Sequence, residues 1–159
     1  MTAPAHPAAQ DPDVPAPVAT ACTESDHATP DAAGRRIIVT GCDSTYFTLV
    51  MELAASIRDH TPTPIGVINC GMTAEQVAML RARGIRVFAP FIPDYAPLRA
   101  LRRRPSLAIN ICKLWLDRML PEFDLILWLD ADTWGQDGAA LERMFAAAEG
   151  GTLASVPDI

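Results

Sequence analysis

From Arg35 onward, apolar runs of strand length alternate with longer amphipathic stretches of helix length. The runs are "RRIIVTG", "IGVINC", "IRVFAP", "LILWL" and "TLASV". Between them stand "STYFTLVMELAASIRDH", "TAEQVAMLRARG", "SLAINICKLWLDRML" and "GAALERMFAAAEGG". Short β-branched runs bounded by helical segments read as buried parallel strands joined by right-handed crossovers. The fold class this predicts is α/β: an open, mostly parallel, Rossmann-like sheet flanked by helices. Local signals punctuate the pattern. Ser44 or Thr45 is a candidate N-cap for the first helix, and Thr73 with Gln76 forms a capping-box pair for the second, which Gly84 can end. Pro90 to Pro105, with four prolines, reads as a loop. The third helix places Ile109, Cys112 and Leu116 along one face.

The 159 residues suffice for one domain with a sizeable core. Residues 1–34 stand apart: they are Ala/Pro-rich, lack aromatics, and hold five acids and no Lys or Arg. Such a segment buries too little to offset its ordering entropy and is expected to be a disordered tail, leaving 35–159 as the domain. The chain's charge of −6 therefore sits mostly in the tail, and the near-neutral body does not fit a nucleic-acid-binding surface. No apolar run approaches the roughly 18 residues of a membrane span, and the start "MTAPAHPAAQ" lacks the pattern of a secretory signal. Cys22, Cys42, Cys70 and Cys112 are scattered, with no C-x-x-C pair, and read as free thiols of a reducing cytoplasm. Cytoplasmic localisation is the expectation, with peripheral attachment to the inner membrane face as its variant.

In open parallel sheets, ligands bind beyond the carboxyl ends of the strands, where strand order reverses. Two groups of interest stand at such ends. Gly41-Cys42-Asp43 follows the first strand, and Asp130-Ala131-Asp132 follows the fourth, in "LILWLDADTW". If those strands are neighbours, both groups face one crevice. Paired carboxylates two residues apart converge only where the backbone turns, and Thr133 to Gly138, with two glycines, offers that turn. Hard oxygen ligands of this kind suit Mg²⁺ or Mn²⁺, whose shell is completed by waters and substrate phosphates. The alternative is that one aspartate caps the turn and the other is solvated.

"LILWLDADTW" closely resembles the D-x-D region of GT-A fold glycosyltransferases, especially glycosyltransferase family 8 and the glycogenin-like enzymes. "IIVTGCDSTYFTLVMELAASI" is similar to the first strand and helix of that family, and "CKLWLDRMLPEFDLILWLDADTW" to its helix, connector and metal strand. The likeness runs from Arg36 to Pro157. It implies a GT-A type nucleotide-diphospho-sugar transferase that uses a UDP-sugar donor and Mn²⁺ or Mg²⁺ and retains anomeric configuration. On this likeness Asp130 and Asp132 would hold the metal, with Asp130 and Ala131 near the donor. Gly41, Asp43 and Thr45 would line the base and ribose, Tyr46 would stack on the base, and Lys113, the chain's sole lysine, would meet the phosphates or donor sugar. No catalytic base or nucleophile is assigned. The acceptor, whether glycan, lipid or protein, is not specified. Members of that family continue for about as long again and supply a later histidine to the metal, which nothing here matches, since His60 falls at the end of the first helix. The likeness thus implies a donor-binding half that binds UDP weakly with Mn²⁺ and transfers little sugar alone, a partner chain supplying the rest.

Simpler roles compete at each position. Asp43 fits a turn or N-cap, Tyr46 fits the apolar face it shares with Leu49, Val50 and Leu53, and Lys113 fits a solvated helix position. Trp115, Trp128 and Trp134 fit core or rim packing. Arg102, Arg103 and Arg104 fit a solvated loop or an approach to an acidic acceptor or a membrane surface. "DADTW" also fits the D-x-D-x-[TV] signature of haloacid-dehalogenase-like phosphatases, in which Asp130 would be the nucleophile and Asp132 the general acid. That family carries the motif on its first strand and needs a later lysine, absent after Asp132. A dinucleotide-binding oxidoreductase is weaker, because "TGCDSTY" lacks G-x-G-x-x-G. A non-catalytic, truncated nucleotide-binding protein is the remaining alternative.

Overall fold

The computed structural model describes residues 35–96, 98–151 and 153–155. The expected tail of residues 1–34 and Cys22 lie outside them. In chain order the elements are β1 (Arg36–Cys42), α1 (Phe47–Arg58), β2 (Ile65–Asn69), α2 (Ala74–Ala82), β3 (Arg86–Phe88), α3 (Leu98–Arg103), α4 (Leu107–Lys113), α5 (Leu116–Met119), β4 (Leu125–Trp128) and α6 (Gly138–Ala148).

The four strands form one all-parallel sheet in the order β3-β2-β1-β4. The chain winds outward from β1 to β3 and then returns to lay β4 on the opposite side of β1. Strand order therefore reverses between β1 and β4, which is where an open α/β sheet leaves a crevice at its carboxyl edge. Val39 registers with Trp128, so the turn after β1 and the D-x-D after β4 leave the sheet side by side.

A strand covered on both faces should be apolar throughout, and β1 is buried from Ile37 to Cys42. Its side chains alternate between two cores. Ile38 and Cys42 join Val50, Leu53, Ile57, Leu80, Leu141 and Phe145 of α1, α2 and α6. Ile37 and Val39 join Ile68, Cys70, Ala108, Cys112 and Leu120 on the α4 face. Arg36 fastens α6 to the sheet: its guanidinium bonds Glu142 at 2.8 Å and Glu149 at 2.9 Å and lies 5.3 Å from the Phe145 ring centroid. No helix of the described residues is long and apolar enough to cross a membrane.

The second helix begins as its sequence indicates. Thr73 Oγ1 accepts from the Gln76 N–H while Gln76 Oε1 accepts from the Thr73 N–H, and Gly84 follows with φ of +68°. Thr73→Ala is expected to lower stability by about 1 kcal/mol, the usual worth of such a cap, read as a lower urea midpoint with unchanged slope.

Four expectations are corrected. Neither Ser44 nor Thr45 caps α1. The helix starts at Phe47 with Tyr46 at the N-cap position and no side-chain cap, and the Asp43 carboxylate accepts from the Thr45 and Tyr46 N–H groups, in the turn before the helix. The third helix is broken into α4 and α5. Leu114 and Trp115 close three-residue turns onto Ile111 and Cys112, and Trp115 leaves helical geometry to pack on Phe91, centroids 5.5 Å apart, with Arg118 on its ring. The Pro90–Pro105 loop contains a six-residue helix, α3, whose Leu101 packs on the α4-side core. Of the fifth strand, the described part, 153–155, has no strand conformation and stands outside the four-stranded sheet, with Leu153 exposed.

Candidate functional site

Residues 128 and 130 are two apart on an extended chain, so their side chains leave on the same side. Trp128 Nε1 donates to Asp130 Oδ1 at 2.9 Å. The same oxygen accepts from Lys113 Nζ at 2.6 Å. Lys113 closes α4, where a cation suits the negative end of the helix dipole, and its ammonium lies 5.1 Å from the Trp128 ring centroid. Lysine, indole and carboxylate thus form one closed group, fed by α4 and β4.

The Lys113 hydrogen bond, then that from Trp128, holds the Asp130 carboxyl below the usual carboxylate range. Because a lowered folded-state pKa favours the ionised form, the stabilisation is present above the unfolded aspartate's pKa and is lost as pH falls through the lower folded value. The pair is partly exposed, so it is worth about 0.2–1 kcal/mol at most. A carbon-detected NMR titration is expected to give Asp130 a midpoint below that of a free aspartate, and Lys113→Met is expected to raise it.

The turn after Asp130 is made by Thr133, whose N–H and Oγ1 both donate to the Asp130 carbonyl, at 3.0 and 2.7 Å. The two glycines do other work. Gly135 donates its N–H to Ser56 Oγ at 3.0 Å and lies against Ile57, while a Cβ on Gly138 would come within 2.6 Å of the His60 carbonyl oxygen. Neither glycine has a positive φ. They let the segment after the D-x-D press onto the end of α1, and Asp137 then caps α6 through the Ala139 N–H. Ala131 is half-buried against the α1-side core, whereas Asp132 is exposed and has no hydrogen bond among the described residues.

On β1, Gly41 is buried beneath α4. A Cβ there would lie 2.8 Å from two Ile109 carbons and 3.2 Å from Trp128 Cη2. Gly41 is thus the surface on which Trp128 rests. Beyond it, Asp43 Oδ1 accepts from the N–H groups of Thr45 and Tyr46, at 2.9 and 3.1 Å. Gln76 Nε2 bonds the Ser44 carbonyl, and Ser44 donates its N–H to the Gly71 carbonyl, pinning this turn to the β2–α2 connection. Thr45 is exposed, and Tyr46 and Leu49 are both partly open to solvent, so the ring of Tyr46 is not part of the α1 core.

The structure therefore brings Lys113, Trp128 and Asp130 into contact, with Gly41 beneath them, and holds Asp43, Thr45 and Tyr46 in a neighbouring turn. Among the described residues no shared hydrogen-bond partner joins Asp43 to Asp130; the two groups are linked through β1 and Trp128. Trp128 is the residue that core-or-rim reasoning passed over, although the period of two linking it to Asp130 marks it. Among the described residues no group of three or more His, Cys, Asp or Glu converges, so no third side chain of these types joins Asp130 and Asp132 there. Asp130 Oδ2 and both oxygens of Asp132 carry no hydrogen bond there, leaving hard, anionic oxygens that suit a small divalent ion with an otherwise aqueous shell.

Three free thiols lie close by. Burial, with the adjoining Asp43 charge, pushes Cys42 up to about 12, and a hydrogen bond with Cys112, then burial, pushes Cys70 well above the usual thiol range. Neither is a reactive thiolate. No protein-family model matches the chain, and no curated protein matches it.

Proposed function

We propose that the chain binds a nucleoside-diphosphate sugar, most simply a UDP-sugar, as the donor-binding part of a glycosyltransferase of GT-A type similar to family 8. The observation that carries this reading is the group Asp130–Lys113–Trp128 at the tip of β4, beside the β1 turn at the reversal of strand order. Asp130 and Asp132 would hold Mn²⁺ or Mg²⁺, which supplies charge neutralisation at a leaving diphosphate. Lys113 contributes a fixed cation beside the same position, where developing negative charge is stabilised without proton transfer. Trp128 keeps the Asp130 carboxylate ionised and aimed. The exposed face of Tyr46 offers a platform for a base, and apolar area with fixed orientation is what an aromatic face supplies.

Asp43 is the position where the proposed role is most constrained. One of its oxygens is committed to the turn, so only the other is free to accept from a nucleobase imide. The haloacid-dehalogenase-like alternative needs the D-x-D on the first strand, but here it follows β4, at the sheet edge of the described residues.

Titration calorimetry with UDP tests the proposal, with and without Mn²⁺. Binding that requires the metal is expected. Equal binding in chelator counts against it, and metal-dependent hydrolysis of para-nitrophenyl phosphate would favour the phosphatase instead.

A further inference from the structure

An open cavity of about 310 Å³ lies at the carboxyl ends of β2 and β3, on the α4 face of the sheet. Its size falls at the lower end of the range of small-molecule sites, about 300–1,000 Å³. The wall is built by Cys70, Pro90, Ile92, Leu101, Pro105 and Ala108. Asn69 alone adds a side-chain amide, and its Oδ1 already accepts from the N–H groups of Gly71 and Met72, at 3.1 and 2.8 Å. Cys70 is itself tied to Cys112. A sugar, base or phosphate placed inside would lose its water and gain almost no hydrogen bonds, which is costly. The wall suits an apolar chain.

The segment that supplies part of the wall also carries charge. Arg103 and Arg104 stand between two wall residues, Leu101 and Pro105, and both are exposed; Arg99, two residues before Leu101, is exposed as well. Among the described residues none of these three is paired with a carboxylate. Residues 90–106 contain four arginines and one aspartate, in a chain whose net charge is −6. Elsewhere Arg35, Arg36, Arg86 and Arg143 each have an acidic partner, whereas Arg58, Arg81, Arg83 and Arg118 have none among the described residues. An apolar cavity whose wall segment carries guanidinium groups without a carboxylate partner among the described residues complements one kind of molecule. Planar guanidinium forks bind anionic oxygens in pairs, and the chain attached to the anion enters the dry space.

We propose that this cavity binds a single-chain anionic lipid, its alkyl chain against Ile92, Leu101 and Ala108 and its anionic head on Arg103 and Arg104. The site needs neither metal nor nucleotide; its lining does not include Asp130, while its Gly71 edge adjoins the Asp43 turn. α4 connects the two, carrying Ala108 at the cavity, Ile109 over Gly41 and Lys113 at Asp130.

The test uses the full chain, chelator and no nucleotide, with dodecyl phosphate as probe below its micelle concentration. Saturable one-to-one binding is expected by calorimetry, with NMR cross-relaxation from the alkyl chain to the methyl groups of Ile92, Leu101 and Ala108. Dodecanol is expected to bind at least about tenfold more weakly, and inorganic phosphate not to compete. Ala108→Trp fills the cavity and should abolish binding. The pair R103E and R104E should bring dodecyl phosphate down to the affinity of dodecanol. The proposal is overturned if the wild-type chain shows no saturable binding or no cross-relaxation to those methyls. It is equally overturned if dodecanol binds as tightly, or if only anionic bilayers bind and Ala108→Trp leaves that unchanged. Because the wild-type NMR result decides by itself, an unfolded variant does not blunt the test, and because the probe is used without metal or nucleotide its outcome is read separately from UDP binding.

Discussion

Replacing Asp130 with asparagine is expected to remove Mn²⁺-dependent UDP binding while leaving the protein folded. The substitution keeps the shape and an acceptor oxygen for Trp128 and Lys113, so the local hydrogen bonds can persist. What disappears is the negative charge, and a neutral amide is a far poorer ligand for a hard divalent ion. Asp130 is more than half exposed, so its ion pair contributes little to stability, about 0.2–1 kcal/mol. The thermal midpoint should therefore barely move while the calorimetric signal for UDP with Mn²⁺ is lost. Trp128→Phe probes the same site at one remove. It keeps the aromatic body and deletes only the N–H that holds Oδ1, and loss of such an outer-shell bond costs about 10–100-fold in metal affinity. An Asp130→Asn protein that binds UDP with unchanged dependence on Mn²⁺ would overturn the role given to this carboxylate, whatever became of the fold.

What could be read from the chain depended on how local the responsible forces are. The alternation of strand and helix and the Thr73–Gln76 box rest on periodicity and local capping rules, which operate within a few residues or along the chain, whereas the adjacency of β1 with β4 comes from the fold. The helix break at Leu114 is not local either. It arises because Trp115 finds Phe91, which lies 24 positions earlier (115 − 91), and helical periodicity carries no trace of that partner. The helix α3 was hidden for a different reason: its six residues fall between Pro97 and Pro105, and the prolines dominate any local reading. At the site, the carboxylates stood out by type and spacing and the lysine through the resemblance, but what Lys113 touches did not. Read by resemblance as a contact for phosphate, it is bonded to Asp130. A donor would have to share or take over that ammonium. Glycines carried the least legible information. Gly135 and Gly138 looked like turn-formers, yet the turn belongs to Thr133, and the glycines are needed because another segment passes close by.

Gly41 turns that last point into a measurable consequence. Its place on β1 looks ordinary, with extended backbone between buried neighbours, and no positive φ requires glycine there. Space requires it. A Cβ would meet Ile109 Cγ1 and Cγ2 at 2.8 Å and Trp128 Cη2 at 3.2 Å. Ile109 is β-branched and sits in a helix, where its χ1 has essentially one comfortable setting, so it cannot swing aside cheaply. Relief has to come from α4 lifting off the sheet or from Trp128 tilting. Gly41→Val is thus expected to destabilise the protein by about 1–3 kcal/mol through overpacking, seen as a lower urea midpoint. The functional effect should exceed the stability effect. α4 carries Lys113 and Trp128 carries the indole N–H, so displacing either pulls a donor away from Asp130 Oδ1. The Asp130 carboxyl should then titrate closer to an ordinary aspartate, with the midpoint rising, and UDP binding should weaken even under conditions where the variant is fully folded. Ile109→Ala in the Gly41→Val background restores the missing space and should recover part of both losses. If Gly41→Val lowers stability but leaves the Asp130 titration where it was, the packing of β1 and the geometry of the carboxylate are independent, and the glycine serves the core alone.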